Sequence, residues 1–434
     1  MLLLESVRTG AQEIWSHKTR SVLSLAAIAF GVAAILYTFA QINQMVSRRE
    51  QALALKGPGL LLVDKEWQRG GDESPGLSKG LTSADADVIR RAMPGLFMVS
   101  PTLQSSAEIQ YGGFKTNVRI RGITADWSKR EWVYTVRGRF FNSHDYDSAD
   151  RICVLNEPGG WIEKPEWMKA ARKFWGWDKN PYDEWVKRVE LIGRKIRLND
   201  QIFTVVGVLR NPPQDKDPRS WGRRDTADVY VPLSTAQRYF NDEMRAGEFV
   251  PDAVNGISID TGSEDTVATV MQRVQNLLSV RHRGEKDFRV ANFNEQIQHW
   301  INQQREYAIQ ILAVGVVAIL AGGVGIMNVT LATIFSRIKE IGIRRAVGAT
   351  RFDILGQFVT EAMLLGAIGG VIGIAMALGG IKQLSTDATR QLEALLWWHY
   401  AATLAISVFT GFAFSLFPAY QASKLDPVEA LRHE

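Results

Sequence analysis

Residues able to do chemistry are sparse in this chain, and one short segment stands apart from the rest. Residues 340–350 read EIGIRRAVGAT. Read as a short helix beginning at Glu340, the segment offers Ile341, Ile343 and Val347 as apolar contacts, and Arg344 and Arg345 as planar, fork-shaped donors. Gly342, Ala346, Gly348 and Ala349 are small enough to let another protein come close. The chemistry of this set is recognition, so residues 340–349 are expected to form a docking element. Catalysis is not expected anywhere. The chain contains no Gly-x4-Gly-Lys-Ser/Thr phosphate loop, no His-Glu-x-x-His, no paired cysteines and no Gly-x-Ser-x-Gly. Its histidines, at 17, 144, 282, 299, 399 and 433, are scattered, and neither a metal site nor a bound cofactor is predicted. Cys153, in an apolar run, is expected to be a buried filler.

These residues must be positioned by long apolar elements. The chain has 434 residues and a formal net charge of +5, with a mean hydropathy of −0.09. That average suits a soluble protein, excludes a disordered chain and is too weakly basic to indicate nucleic acid. The apolar residues are unevenly spread. Residues 22–47, 308–336, 362–381 and 394–423 contain no Asp, Glu, Lys or Arg, and the third extends back to 354 if Glu361 is allowed. A bilayer core of about 30 Å takes about 20 helical residues, so four transmembrane helices are predicted, at 22–47, 308–336, 354–381 and 397–418. Glu361, the one acid in these stretches, is read as structural. His399, beside Trp397 and Trp398, is read as an interfacial anchor.

The first stretch is too long and starts too late for a signal peptide, and residues 1–21 read as an amphipathic helix on the cytoplasmic membrane surface. The loop 337–353 carries Arg337, Lys339, Arg344, Arg345 and Arg351 against Glu340 and Asp353, which places it in the cytoplasm. The connection 382–396 is then an outer loop, residues 419–434 are a cytoplasmic tail, both termini are cytoplasmic, and residues 48–307 lie outside. That outer segment alternates short strand and helix patterns at both ends, around a β-rich lobe inserted at about 111–250. The turn Asn199–Asp200 suggests a hairpin. A segment at 156–189 holds Trp161, Trp167, Trp175, Trp177 and Trp185, and reads either as an aromatic surface or as a small insertion packing its own tryptophans. Residues 20–56 and 294–335 lack helix breakers. At 1.5 Å per residue they would reach about 54 and 63 Å, as a stalk beyond the membrane, unless their polar ends are loops.

The 340–350 segment closely resembles the coupling helix of the MacB/FtsX-like family of ABC transporter permeases. HKTRSVLSLAAIAFGVAAI (17–35) and GGVGIMNV (322–329) resemble the family's first and second spans, FTVVGVL (203–209) and VYVPLSTAQRY (229–239) its periplasmic core strands, and LDPVEALR (425–432) its C-terminal signature. The Trp-rich segment departs from the family pattern. The resemblance implies a multi-pass inner-membrane protein: four transmembrane helices with a large α/β extracytoplasmic MacB-like core domain inserted between helices 1 and 2. It implies the separate-permease version, paired with a second copy or a sister permease, on a cytoplasmic ATPase that carries ATP and magnesium; the permease binds no cofactor. Glu340 to Ala349 would sit in a groove of that ATPase, and the stalk would pass motion outward. The expected function is export of drugs, peptides or similar substrates, with a periplasmic adaptor and an outer-membrane channel. Alternatives are an FtsX-like regulator of a cell-wall hydrolase and a LolC/LolE-like lipoprotein-releasing permease.

Overall fold

The computed structural model describes residues 18–66, 78–130, 132–160, 181–213, 217, 227–245, 247–385 and 388–426. Most of the expected amphipathic helix (1–17), four of the five clustered tryptophans (161, 167, 175, 177) and most of the C-terminal signature (427–432) lie outside them.

In chain order, helix α1 (Lys18–Lys56) is followed by strand β1 (Leu60–Lys65) and helix α2 (Ser83–Ala92). Strands β2 (Met98–Tyr111), β3 (Phe114–Ile123) and β4 (Thr135–Gly138) lead to α3 (Ser143–Ser148), β5 (Ile152–Glu157) and α4 (Pro181–Arg188). Then come β6 (Lys195–Leu198), β7 (Gln201–Arg210), β8 (Asp228–Pro232), α5 (Leu233–Tyr239) and a small hairpin, β9 (Met244–Arg245) and β10 (Glu248–Phe249). The chain closes with β11 (Gly256–Asp260), α6 (Val267–Arg281), β12 (Phe288–Asn292), α7 (Phe293–Ser336), α8 (Ile338–Ala346), α9 (Arg351–Leu384), α10 (Ala388–Glu393) and α11 (Trp397–Ser423). The described residues fall into two compact units, one of residues 18–46 and 302–426, the other of residues 47–301.

In the helical unit, α1, α7, α9 and α11 are each long and apolar enough to cross a membrane. Lipid supplies no hydrophobic drive between helices, so close approach must come from small side chains. A Cβ on Gly322 of α7 would lie 2.5 Å from Ile28 Cγ1 of α1, and one on Gly373 of α9 would lie 2.7 Å from Val32 Cβ. Gly411 of α11 faces the Ala362 carbonyl of α9 just as tightly. Three boundaries differ from the sequence reading. Lys18 to Ser21, at the end of the expected surface helix, belong to α1. Residues 382–396 hold the end of α9 and the short α10, and α11 runs five residues past 418 because Pro418 lies within it.

His399 is not an interfacial anchor. It is 1% exposed, its Nδ1 accepts from the Leu396 N–H at 2.8 Å, and its Nε2 lies 3.0 Å from Asn43 Nδ2 of α1. Beside it, Gln391 Nε2 donates to Gln44 Oε1 at 3.0 Å and Ser385 Oγ donates to Gln391 Oε1 at 2.6 Å. These buried polar groups tie α1 to the α9–α10–α11 connection. Trp397 and Trp398 stay exposed.

In the other unit, β12-β1-β11-β2 form an antiparallel lobe with α2 and α6 packed on it through Ile89, Val274 and Leu278. Strand β2 then continues into a second lobe. From Leu103 onward it pairs with β3, and the circuit β2-β3-β8-β5-β7-β6 returns to β2 through Ile109 and Gln110, so the sheet closes on itself. The lobe boundary therefore falls inside a strand, near Leu103, rather than at Tyr111. Asn199, at φ 50°, makes the turn of the β6–β7 hairpin. Cys153 is fully buried on β5, and burial pushes its thiol far above the usual range, which leaves it inert.

An ion cluster pins the first lobe together. Thr82 caps α2 in a box with Asp85, and Asp85 also faces Arg281 and His282 at the end of α6. His282 Nδ1 lies 2.8 Å from Asp287 Oδ1 and 3.0 Å from Ser78 Oγ. Burial alone would lower the His282 pKa, but hydrogen bonds to Asp287 and Asp85 push it up to about 9. Burial would raise Asp85, but His282, Arg281 and Thr82 hold it down at about 2. The serine, imidazole and carboxylate thus form a charged brace, with the imidazolium held by acids rather than poised as a base. The contribution of His282 to stability is fully present below its unfolded pKa of about 6.5 and fades as pH rises through about 9. Thermal melts of the wild-type chain should lose midpoint between about pH 7 and 10, while His282→Gln, destabilised by about 3 kcal/mol at neutral pH, should lose less. Equal pH slopes for the two proteins would contradict this assignment.

Candidate functional site

The segment expected to dock, residues 340–349, lies on helix α8 and the turn that follows it. Gly348, at φ 109°, ends the helix: its N–H donates to the Arg345 carbonyl at 3.3 Å, and the Ala349 N–H reaches the Arg344 carbonyl at 3.0 Å. Thr350 then caps α9, with its Oγ1 accepting from the Asp353 N–H at 3.2 Å and the Asp353 carboxylate accepting from the Thr350 N–H at 2.9 Å. Gly348 thus makes the turn that ends α8.

The ten expected residues separate by face. Ile341 and Gly342 are buried, and Ile341 packs in a cluster with Ile334, Ile354, Phe358 and Ala422. Ile343 and Val347, one helical turn apart, point outward at 54% and 84% exposure. Glu340, Ala346 and Gly348 are also exposed, while Arg345 and Ala349 are half-buried. Arg344 is held in place: its Nη2 lies 2.6 Å from Glu340 Oε1 and its Nη1 donates to Gln357 Oε1 of α9 at 2.6 Å. The outward face is therefore apolar at its centre and rimmed by the basic side chains of Lys339, Arg344 and Arg351. Phe352, in the first turn of α9, is also 83% exposed. The sequence reading stopped at Thr350 and missed it; an aromatic just after a capping threonine on a basic loop was the available signal. Glu361 is buried, with Arg337 Nη1 at 3.7 Å and Gln357 Nε2 donating to it at 3.3 Å, which agrees with a structural place for it.

In the α/β unit, Trp185 is core: it stacks on Phe114 at 4.7 Å and lies against Tyr182. This one described tryptophan of the segment is packed on strands of the core; the other four lie outside the described residues. A different aromatic group escaped the sequence reading, because one of its members, Tyr230, is distant in the chain. Trp127 lies among Trp132, Tyr134, Phe140 and Tyr230, with centroids 5.1 to 6.2 Å away. Where α1 ends and α7 begins, Lys56 Nζ sits 4.6 Å over the Phe293 ring. Gly57, at φ 89°, turns the chain into β1 against the buried Asp260, which pairs with Arg130 Nε at 2.6 Å. Among the described residues no group of His, Cys, Asp or Glu is arranged to hold a metal ion.

Four membrane-length helices, a two-lobed α/β unit and an exposed apolar face on a short basic helix are the features of a membrane permease. The comparisons with known proteins agree. A family model described as the MacB-like periplasmic core domain matches residues 21–277, and one described as the FtsX-like permease C-terminal matches residues 312–427. The chain belongs to the MacB/FtsX-like family of ABC transporter permeases. It is 30% identical over 99% of its length to the macrolide export ATP-binding/permease protein MacB 1/2 of Paracoccus denitrificans, covering 59% of that protein. It is 27% identical over its whole length to MacB of Bdellovibrio bacteriovorus, covering 62% of it. It is 28% identical over 99% of its length to the pyoverdine export ATP-binding/permease protein PvdT of Pseudomonas aeruginosa, covering 58% of it. The chain thus spans about six-tenths of the length of the curated relatives it matches. Among solved structures, the periplasmic region of MacB from Actinobacillus actinomycetemcomitans is 17% identical, with 57% of this chain and 94% of that one covered and a TM-score of 0.39.

Proposed function

We propose that this chain is the force-transmitting permease subunit of an export ABC transporter in the inner membrane. The observation that carries the reading is the continuity of two helices. α1 has 39 residues and α7 has 44, so at 1.5 Å per residue they reach about 58 and 66 Å, roughly twice a bilayer core. α7 begins where β12 ends and finishes beside α8, so one unbroken helix links the α/β unit to the docking helix. A cytoplasmic ATPase, binding ATP with magnesium, engages Glu340, Ile343, Arg344 and Val347, and its closure moves α8. The stalk conveys that motion to residues 48–307 outside the membrane, inserted between the first and second spans. A second permease copy or a sister permease completes the assembly, and an adaptor with an outer-membrane channel receives the cargo. The relatives are export proteins, for macrolides and for pyoverdine, which supports expulsion of drugs, peptides or similar substrates over control of a wall hydrolase.

The positive charge of the α8 loop supports cytoplasmic termini. Asp200 at the β6–β7 turn is 95% exposed, and Cys153 is buried, so an introduced thiol reports without interference. Asp200→Cys in intact spheroplasts is expected to react fully with an impermeant thiol reagent. Labelling that appears only after lysis would reverse the topology and remove the proposal.

A further inference from the structure

Glu361 does more than fill a polar place in an apolar helix. It lies 7% exposed on α9, and an ionisable side chain at such depth needs partners or a task. Two partners lie close to it, one at the α7–α8 break and one on α9 itself. Arg337, 3.7 Å away, occupies the single break between α7 and α8. Its N–H donates to the Thr333 carbonyl of α7 at 3.1 Å, and its carbonyl accepts from Ile341 of α8 at 2.9 Å. Gln357, one turn earlier on α9, donates Nε2 to Glu361 at 3.3 Å and accepts at Oε1 from Arg344 of α8 at 2.6 Å. One amide thus has its oxygen towards the docking helix and its nitrogen towards the buried carboxylate. Arg344 is further pinned by Glu340.

We infer that Glu361 is a positioning residue for force transmission: it joins α8, the end of α7 and α9 through Arg337 and Gln357, so that a displacement of the docking helix is passed to both long helices. Apolar packing of Ile341 alone would let α8 slide, because such contact has no preferred direction. Directional hydrogen bonds and an ion pair restrict it to discrete arrangements, which transmission requires. The inference rests on the reading of α8 as the docking helix.

The test uses the full chain in lipid nanodiscs with Cys153→Ala and a nitroxide at Val347→Cys, read by its electron spin resonance line shape. A second label at Val371→Cys, exposed in mid-α9, serves as the reference. Glu361→Gln keeps the shape and removes the charge. It is expected to lose the immobilised component at position 347, with the line shape at 371 unchanged. Gln357→Leu cuts the link to α8 while sparing the carboxylate, gives the same loss, and serves if Glu361→Gln fails to accumulate. An unchanged spectrum at 347 in the variants overturns the inference. So does equal loosening at 371, which would make the carboxylate a support of the bundle only. The docking reading fails separately, if Val347→Asp leaves ATPase binding intact.

Discussion

Ile343→Asp combined with Val347→Asp is expected to abolish co-purification of the ATPase subunit, with membrane insertion and thermal stability of the permease unchanged. Both side chains are exposed on one face of α8, and their loss removes no packing within the bundle. Burying each against a partner contributes about 1.5–3 kcal/mol, so losing both weakens association by about a hundredfold or more, before the cost of desolvating two carboxylates. Arg344→Glu with Arg345→Glu should also abolish co-purification. That pair is less clean, because Arg344 bonds Glu340 and Gln357 and its reversal loosens α8 itself. Undiminished co-purification after the aspartate substitutions would remove α8 as the docking element.

Gln303→Pro is expected to abolish function while leaving ATPase binding intact. Gln303 is exposed, in the polar stretch of α7 just before its apolar part, so the substitution disturbs little packing. A proline inside a helix removes one backbone hydrogen bond and clashes with the preceding turn, at about 3 kcal/mol, and kinks the rod there. The measurement is complementation of a gene deletion: Gln303→Ala should restore the deletion phenotype to wild type and Gln303→Pro should not. Full complementation by the proline variant would mean that a continuous α7 is not needed, and force transmission through it would be untenable.

Much of the element plan was legible in the sequence for physical reasons. Charge-free runs of membrane length announce their helices, because lipid penalises every unpaired charge. Thr82 with Asp85 and Thr350 with Asp353 announce helix starts, since these side chains satisfy the free N–H groups locally. The Asn199–Asp200 turn and the short strands beside it follow from equally local rules. What depends on distant neighbours was not legible. His399 read as an anchor because Trp397 and Trp398 stand beside it, but Asn43, 356 residues away, holds it inside. The split of strand β2 between two lobes was hidden because its first half pairs with β11, about 155 residues away, while its second half pairs with the adjacent β3.

The same division holds at the docking segment. Its ten residues, Glu340 to Ala349, carry their recognition chemistry in their types alone, and the sequence by itself determined that this loop is basic, small-sided and helical. It did not determine which side chains are available. That was decided by tertiary packing, because α8 lies on α7, α9 and α11, which take Ile341 inward and leave Ile343, Val347 and Phe352 outside. Helical periodicity says which residues share a face. Only the surroundings say which face is covered, and they also gave Glu361, a lone acid in an apolar span, its partners Arg337 and Gln357.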